Sequence, residues 1–171
     1  MTLVPSINEA IHEAPFKGST GKVKDDWIDY NGHFNMAYYA VLFDGCCDEA
    51  FSLVGLGEEY LKTSGFSYFT MEAQVNYLRE LKAGDEVDMT LQLYDYDAKR
   101  IHFFLHMYDR KDGALSATME TLCMHIDMSK KKSCPWPEHI RKNLAMMYEA
   151  HKDLPTPKQL GHTIGIVRKM A

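Results

Sequence analysis

The repeat of apolar residues changes once along this chain, from the period of a helix to that of a strand, and the change limits what it can fold into. Tyr39, Phe43, Cys46 or Cys47, Ala50 and Val54 recur at spacings of three and four, one apolar stripe on a helix. Tyr38, Asp44, Asp48 and Glu49 fall largely outside that stripe. Asn35 stands where a helix is capped, and Gly55 and Gly57 stand where one stops. The spacing predicts one amphipathic helix of roughly 18 to 20 residues, about 30 Å long at 1.5 Å per residue.

After the helix the repeat is two. Phe69, Met71, Ala73, Val75 and Tyr77 alternate with polar residues, as do Val87, Met89, Leu91 and Leu93. The same holds for Ile101, Phe103, Leu105 and Met107, and for Leu122, Met124 and Ile126 against Thr121, Cys123, His125 and Asp127. Each run predicts a strand with one face toward a core. Turn residues join them at Lys82–Asp85, Asp95–Ala98 and Arg110–Gly113, short enough to require antiparallel neighbours. The expected fold is α+β: a long central helix wrapped by a curved antiparallel sheet.

The flanks are less regular. Residues 1–16 read as an N-terminal arm, and residues 17–25 as a first strand blurred by Gly18 and Gly21. Residues 17–130 form the main domain. Residues 131–171 add a short helix from Glu138 to His151, ended by Pro155 and Pro157, and a tail packed on the same domain as a strand or irregular arm.

Charge and cysteine usage narrow the function. A net charge of −5 gives no broad attraction to nucleic acid or an anionic membrane, although a local basic cluster still suits a phosphorylated ligand. Residues 1–15 show neither a basic start nor an apolar run, and no stretch of about 18 apolar residues occurs. Cys46, Cys47, Cys123 and Cys134 form no CxxC pair and are expected as reduced thiols, two of them buried. The expected location is the cytoplasm. His102 and His106 alternate on a strand, which suits a polar sheet face better than a metal set, so neither metal nor cofactor is expected.

Asp29-Tyr30-Asn31-Gly32-His33-Phe34-Asn35, followed by Tyr39, resembles the D-x-x-G-H-x-N-x-x-x-Y motif of 4-hydroxybenzoyl-CoA-thioesterase-like hotdog proteins. Its place between a first strand and a long helix adds to the likeness. Glu72–Leu78 and Gly84–Val87 resemble that family's following strands. Trp27–His33, Tyr68–Glu72, Asp97–His102, Ala117–Glu120, His125–Asp127 and Leu154–Gly165 resemble the betainyl-CoA thioesterases of carnitine breakdown. That group is often fused to carnitine dehydrogenase.

The resemblance implies acyl-CoA hydrolysis without a metal. Asp29 matches the catalytic aspartate, as nucleophile or as general base. From the residues alone, a turn organised by the Asp29 side chain is the favoured reading, and the resemblance reverses it. The resemblance also places the thioester oxygen at a backbone amide of the helix start, here Met36. His33 and Asn35 stand beside it, with holding the turn and capping the helix at least as well supported as chemistry.

Trp27, Tyr30, Phe34, Tyr38, Tyr39, Tyr68 and Phe69 offer aromatic faces to a trimethylammonium group, or else are core packing. Asp44 and Glu72 would offset the cation. Arg79, Lys82, Lys99, Arg100 and Lys130–Lys132 are candidates for the CoA phosphates. An unpaired sheet edge and the family likeness imply a homodimer or homotetramer, with active sites at the dimer interface. The alternatives are a short- or medium-chain acyl-CoA thioesterase and a noncatalytic acyl-CoA-binding module.

Overall fold

A computed structural model describes residues 10–166 and 168. Residues 1–9 of the expected N-terminal arm, and Val167 and 169–171 of the tail, lie outside the described residues. The predicted helix is α1, Met36–Leu53, with Asn35 at its N-cap accepting from the Ala37 amide. Its stripe buries Tyr39, Phe43, Cys46, Cys47, Ala50 and Phe51. Phe51 supplies an anchor between strands, its ring 4.9 Å from Phe103 and 5.6 Å from Tyr68.

Four long antiparallel strands carry the sheet: β3 Phe66–Tyr77, β4 Glu86–Tyr96, β5 Arg100–Asp109 and β6 Leu115–Asp127. The expected first strand is two short pieces, β1 Phe16–Lys17 and β2 Gly21–Lys22, both paired with β4. The break falls at Gly18, where a Cβ would stand 2.8 Å from the Cys46 sulfur, so the chain passes this close to α1 only as glycine. With β7 (Lys132–Ser133) beside β6, the order is β1-β4-β5-β6-β3. The strand that follows α1 therefore forms an edge.

Two strand readings need correction. Strand β3 bulges at Met71, since pairing with β6 skips from Thr70 to Glu72. An extra residue reverses the faces. Tyr68 and Thr70 face α1 before the bulge and Ala73 after it, while Phe69 (45% exposed) and Met71 (55%) do not join the core.

In β6 the buried set is Thr121, Cys123, His125 and Asp127 rather than Leu122, Met124 and Ile126. Buried Ala117 and Met119 set the parity, and the strand continues it unbroken.

Two further elements carry no strong sequence signal: β7, and α2, Glu58–Ser64. The other expected helix, α3, is Glu138–His151 and buries Ile140, Leu144, Met147 and His151. All four cysteines are free thiols, three of them buried. No helix among the described residues is long and apolar enough to cross a membrane.

Buried histidines join these layers. His151 accepts from the Leu93 amide at Nδ1 (2.9 Å) and donates from Nε2 to the Glu13 carbonyl (2.8 Å), tying α3 to β4 and the N-terminal segment. In β6, His125 faces the Cys134 and Pro135 carbonyls with Nδ1 (3.1 Å each) and the Tyr60 hydroxyl with Nε2 (2.8 Å). Two carbonyl partners require a proton on Nδ1, which makes Nε2 the acceptor. Burial lowers the pKa of both rings. The unfolded chain thus binds more protons below its own histidine pKa of about 6.5, and stability falls as pH drops through that value. Urea midpoints measured from pH 7.5 to 5 are expected to decline steadily. A flat profile would contradict the neutral buried pair.

Candidate active site

The Asp29 turn is held from both ends. Ile28 bridges Phe34, and the Asp29 amide donates to the His33 carbonyl at 2.9 Å. Gly32 sits at φ +77°, a conformation that glycine accepts without strain, and its amide closes the bend on the Asp29 carbonyl. The Asp29 Oδ1 atom accepts from the amides of Asn31 (2.8 Å) and His33 (3.3 Å). That is the turn-organising role. It leaves Oδ2 of the same carboxylate without a partner among the described residues.

Two bonds set the turn against the fold: the Phe34 amide to the Leu81 carbonyl (2.8 Å) and the Asn35 amide to the Trp27 carbonyl (2.9 Å). Helix α1 starts immediately afterwards. Asn35 consumes the next amides, Ala37 through its side chain and Tyr38 through its carbonyl, both at 3.0 Å. The Met36 amide has no acceptor among the described residues, at the positive end of an 18-residue helix. Tyr77 donates its hydroxyl to the Met36 carbonyl at 3.0 Å and fixes that peptide.

Asp29, Tyr30, His33, Phe34, Asn35, Met36 and Tyr39 line one open cavity of about 730 Å³, with Tyr77, Leu78, Arg79 and Glu80 opposite. His33 pairs with Glu80 at 2.8 Å and makes no bond to the Asp29 side chain other than through its backbone amide. Glu80 and Tyr77 were not singled out from the sequence. Tyr77 ends β3 and Glu80 follows it, away from the motif, and only the fold brings them here.

The aromatic candidates separate. Trp27 stacks on Tyr38 (5.3 Å) and Phe34 (6.0 Å), and Phe34 lies 4.2 Å from Tyr39. Phe34 and Tyr39 are buried, so these rings present their faces to one another. Burial raises the Tyr39 hydroxyl to about 12. Tyr30 is almost fully exposed.

Asp44 and Tyr68 meet instead in a second cavity of about 300 Å³ between α1 and β3, walled by Ala40, Val41, Cys47, Phe103 and Cys123. There Tyr68 is held protonated, chiefly by burial and then by Asp48. Burial, and then Asp44, raise the pKa of Asp48. The hydroxyl of Thr121, on this cavity's wall, is buried without a hydrogen-bond partner among the described residues. Glu72 lies on the opposite face of the sheet with Gln74, His102 and Glu120.

Among the basic candidates, Arg79 and Lys82 stand near the Asp29 cavity, Arg79 paired with Asp112 at 2.7 Å and Lys82 3.9 Å from Glu80. Arg100 is paired with Asp97 and Lys130 with Asp127. Lys99 donates to Ser133.

Known proteins resemble this chain in sequence and fold. The thioesterase-like superfamily matches residues 23–144. A betainyl-CoA thioesterase of Pseudomonas aeruginosa is 33% identical over 84% of this chain and 91% of its own. The L-carnitine dehydrogenase/betainyl-CoA thioesterase of Rhizobium meliloti is 36% identical over 84% of this chain, which spans only 29% of that longer protein. A Staphylococcus aureus protein solved in complex with CoA superposes with a TM-score of 0.83 at 33% identity, covering 90% of this chain and 96% of its own. A 1,4-dihydroxy-2-naphthoyl-CoA thioesterase from Synechocystis shares the fold at 16% identity, with a TM-score of 0.67 over 82% of this chain and 99% of its own. A helix-wrapping sheet, a carboxylate turn and a bare helix-start amide thus coincide with sequence identity along most of the chain, which belongs to the thioesterase-like superfamily of hotdog proteins.

Proposed function

We propose that the protein hydrolyses a small acyl-CoA, betainyl-CoA foremost, to the free acid and CoA, with Asp29 driving the reaction. One observation carries this reading: a carboxylate anchored by one oxygen shares an open cavity with the unpaired Met36 amide. A thioester carbonyl resting on that amide would place its developing negative charge at the positive end of α1. Asp29 then serves in one of two ways. As nucleophile it bonds to the carbonyl carbon and expels CoA thiolate, and water cleaves the resulting anhydride. As base it takes a proton from water, whose oxygen attacks the same carbon.

Substrate choice rests on the second cavity. Asp44 supplies negative charge, and Tyr68 and Phe103 supply aromatic faces, a set suited to a trimethylammonium group. The relatives' betainyl-CoA activity supports the same choice. A neutral short acyl chain is the second reading, favoured by Ala40, Val41 and Phe103 on the same wall.

Eight residues separate Met36 from Asp44, roughly 12 Å along the helix axis, too far for a betainyl group to bridge within one chain. A two-fold pairing of β3 edges would run the two α1 helices antiparallel and bring the start of one toward the partner's Asp44. We therefore read the active unit as a homodimer, or a homotetramer built from it, with Arg79 and Lys82 offered to the CoA phosphates. Free thiols and a CoA substrate support a cytoplasmic location.

Asp29→Asn keeps an oxygen for the turn amides but removes the reactive carboxylate. CoA release followed with a thiol reagent is expected to fall about 10²- to 10⁴-fold, with the folded circular dichroism spectrum retained. Undiminished release in that variant would remove Asp29 from the reaction. Comparing betainyl-CoA with its neutral 3,3-dimethyl isostere is expected to favour the cation at least about tenfold in kcat/KM, the effect of roughly 1.4 kcal/mol of cation–π and charge attraction. Equal rates would favour the neutral-acyl reading, and no release from any thioester a binding module.

A further inference from the structure

Beyond α3 the chain forms a strap across the face of the sheet opposite α1. Pro155 and Pro157 share a cavity with Thr90 of β4 and His106 of β5. The strap is pinned again further on. The Glu120 carboxylate, on β6, takes the Gly161 amide at 2.7 Å and His102 Nε2 at 2.8 Å. The His162 ring meets the Gln74 side chain of β3 at 3.1 Å. Strand by strand, the strap runs from one side of the sheet to the unpaired edge.

At that edge the environment of the strap changes. Pro157 is buried, whereas Ile164 is 85% exposed and Ile166 87% exposed. Two bulky apolar residues at alternating positions are thus carried outward by a segment held in place just before them. On β3 itself, Phe69 and Met71 are exposed close to the same edge. Isolated exposed hydrophobics need no explanation, but two such pairs, one at the end of a pinned strap and one on an open edge, fit a contact.

We propose that Thr163–Ile166 is a clasp that crosses to a second copy of this chain and seats Ile164 and Ile166 against the partner's Phe69 and Met71. The proposal rests on the edge-to-edge dimer of β3. From His162, two residues reach about 7 Å and four about 14 Å, while a paired strand lies only about 4.8 Å away. A two-fold centred near the exposed stretch of β3 sets Gln74 of one copy across from the other copy's residues on the far side of the bulge, which is where Phe69 stands. Each copy would then both give and receive a clasp.

Full-length chains carrying Ile164→Cys, co-expressed with tagged chains carrying Phe69→Cys, are expected to give an oxidant-dependent two-chain product that neither variant forms alone. In sedimentation, Ile164→Asp with Ile166→Asp is expected to raise the dimer dissociation constant at least about tenfold. A wild-type dimer with no such product, and with dissociation unchanged in the double variant, overturns the clasp and leaves the β3 dimer standing. A wild-type monomer throughout overturns both.

Discussion

The Asp29 carboxylate accepts two amides of its own turn, and the geometry of the site depends on that arrangement. One oxygen is committed to structure, which orients the other. The same turn delivers Asn35 to the start of α1, where its side chain and carbonyl satisfy Ala37 and Tyr38 and leave Met36 bare. Turn-organising and catalytic readings of this aspartate are therefore compatible. A carboxylate held by backbone donors needs little reorganisation when charge develops next to it.

Rigidity around this turn comes from the sheet. The Phe34 amide is fixed to Leu81, and the Tyr77 hydroxyl reaches back to the Met36 peptide. Trp27, Phe34, Tyr38 and Tyr39 pack on each other, which makes them a support for the turn. Elsewhere neutral histidines act as joints between layers, each needing one particular tautomer. Acid weakens those joints before it protonates most carboxylates.

Much of this was legible in the sequence, because local signals and burial agree along α1. Its stripe, its cap and its length follow from residues between Asn35 and Val54. Agreement fails where pairing with a neighbour decides the face. Nothing in Phe69–Tyr77 announces that Met71 is extra, because the bulge exists only in relation to β6. Leu122, Met124 and Ile126 form an apolar alternation, but Ala117 and Met119 bury first and the strand keeps one parity from Ala117 onward. The motif pointed to Asp29 and Met36, yet their neighbours Tyr77 and Glu80 come from β3 and the segment after it. Glu72 was placed with Asp44 by charge alone, and the pleat sends it to the other face.

A site divided between copies is the central consequence of the proposed function. On the proposed reading, the Met36 amide and Asp44 stand roughly 12 Å apart along α1, too far for a small acyl group to bridge in one chain, and a two-fold axis would close the gap. Co-expressing Asp29→Asn chains with Asp44→Asn chains tests this directly, with betainyl-CoA cleavage as the readout. If each site takes Asp29 from one copy and Asp44 from the other, every mixed dimer regains one intact site, and random pairing restores about a quarter of wild-type turnover. If both residues serve the same chain's site, no mixed dimer contains an intact site, and turnover no higher than that of the separate variants would contradict the divided site.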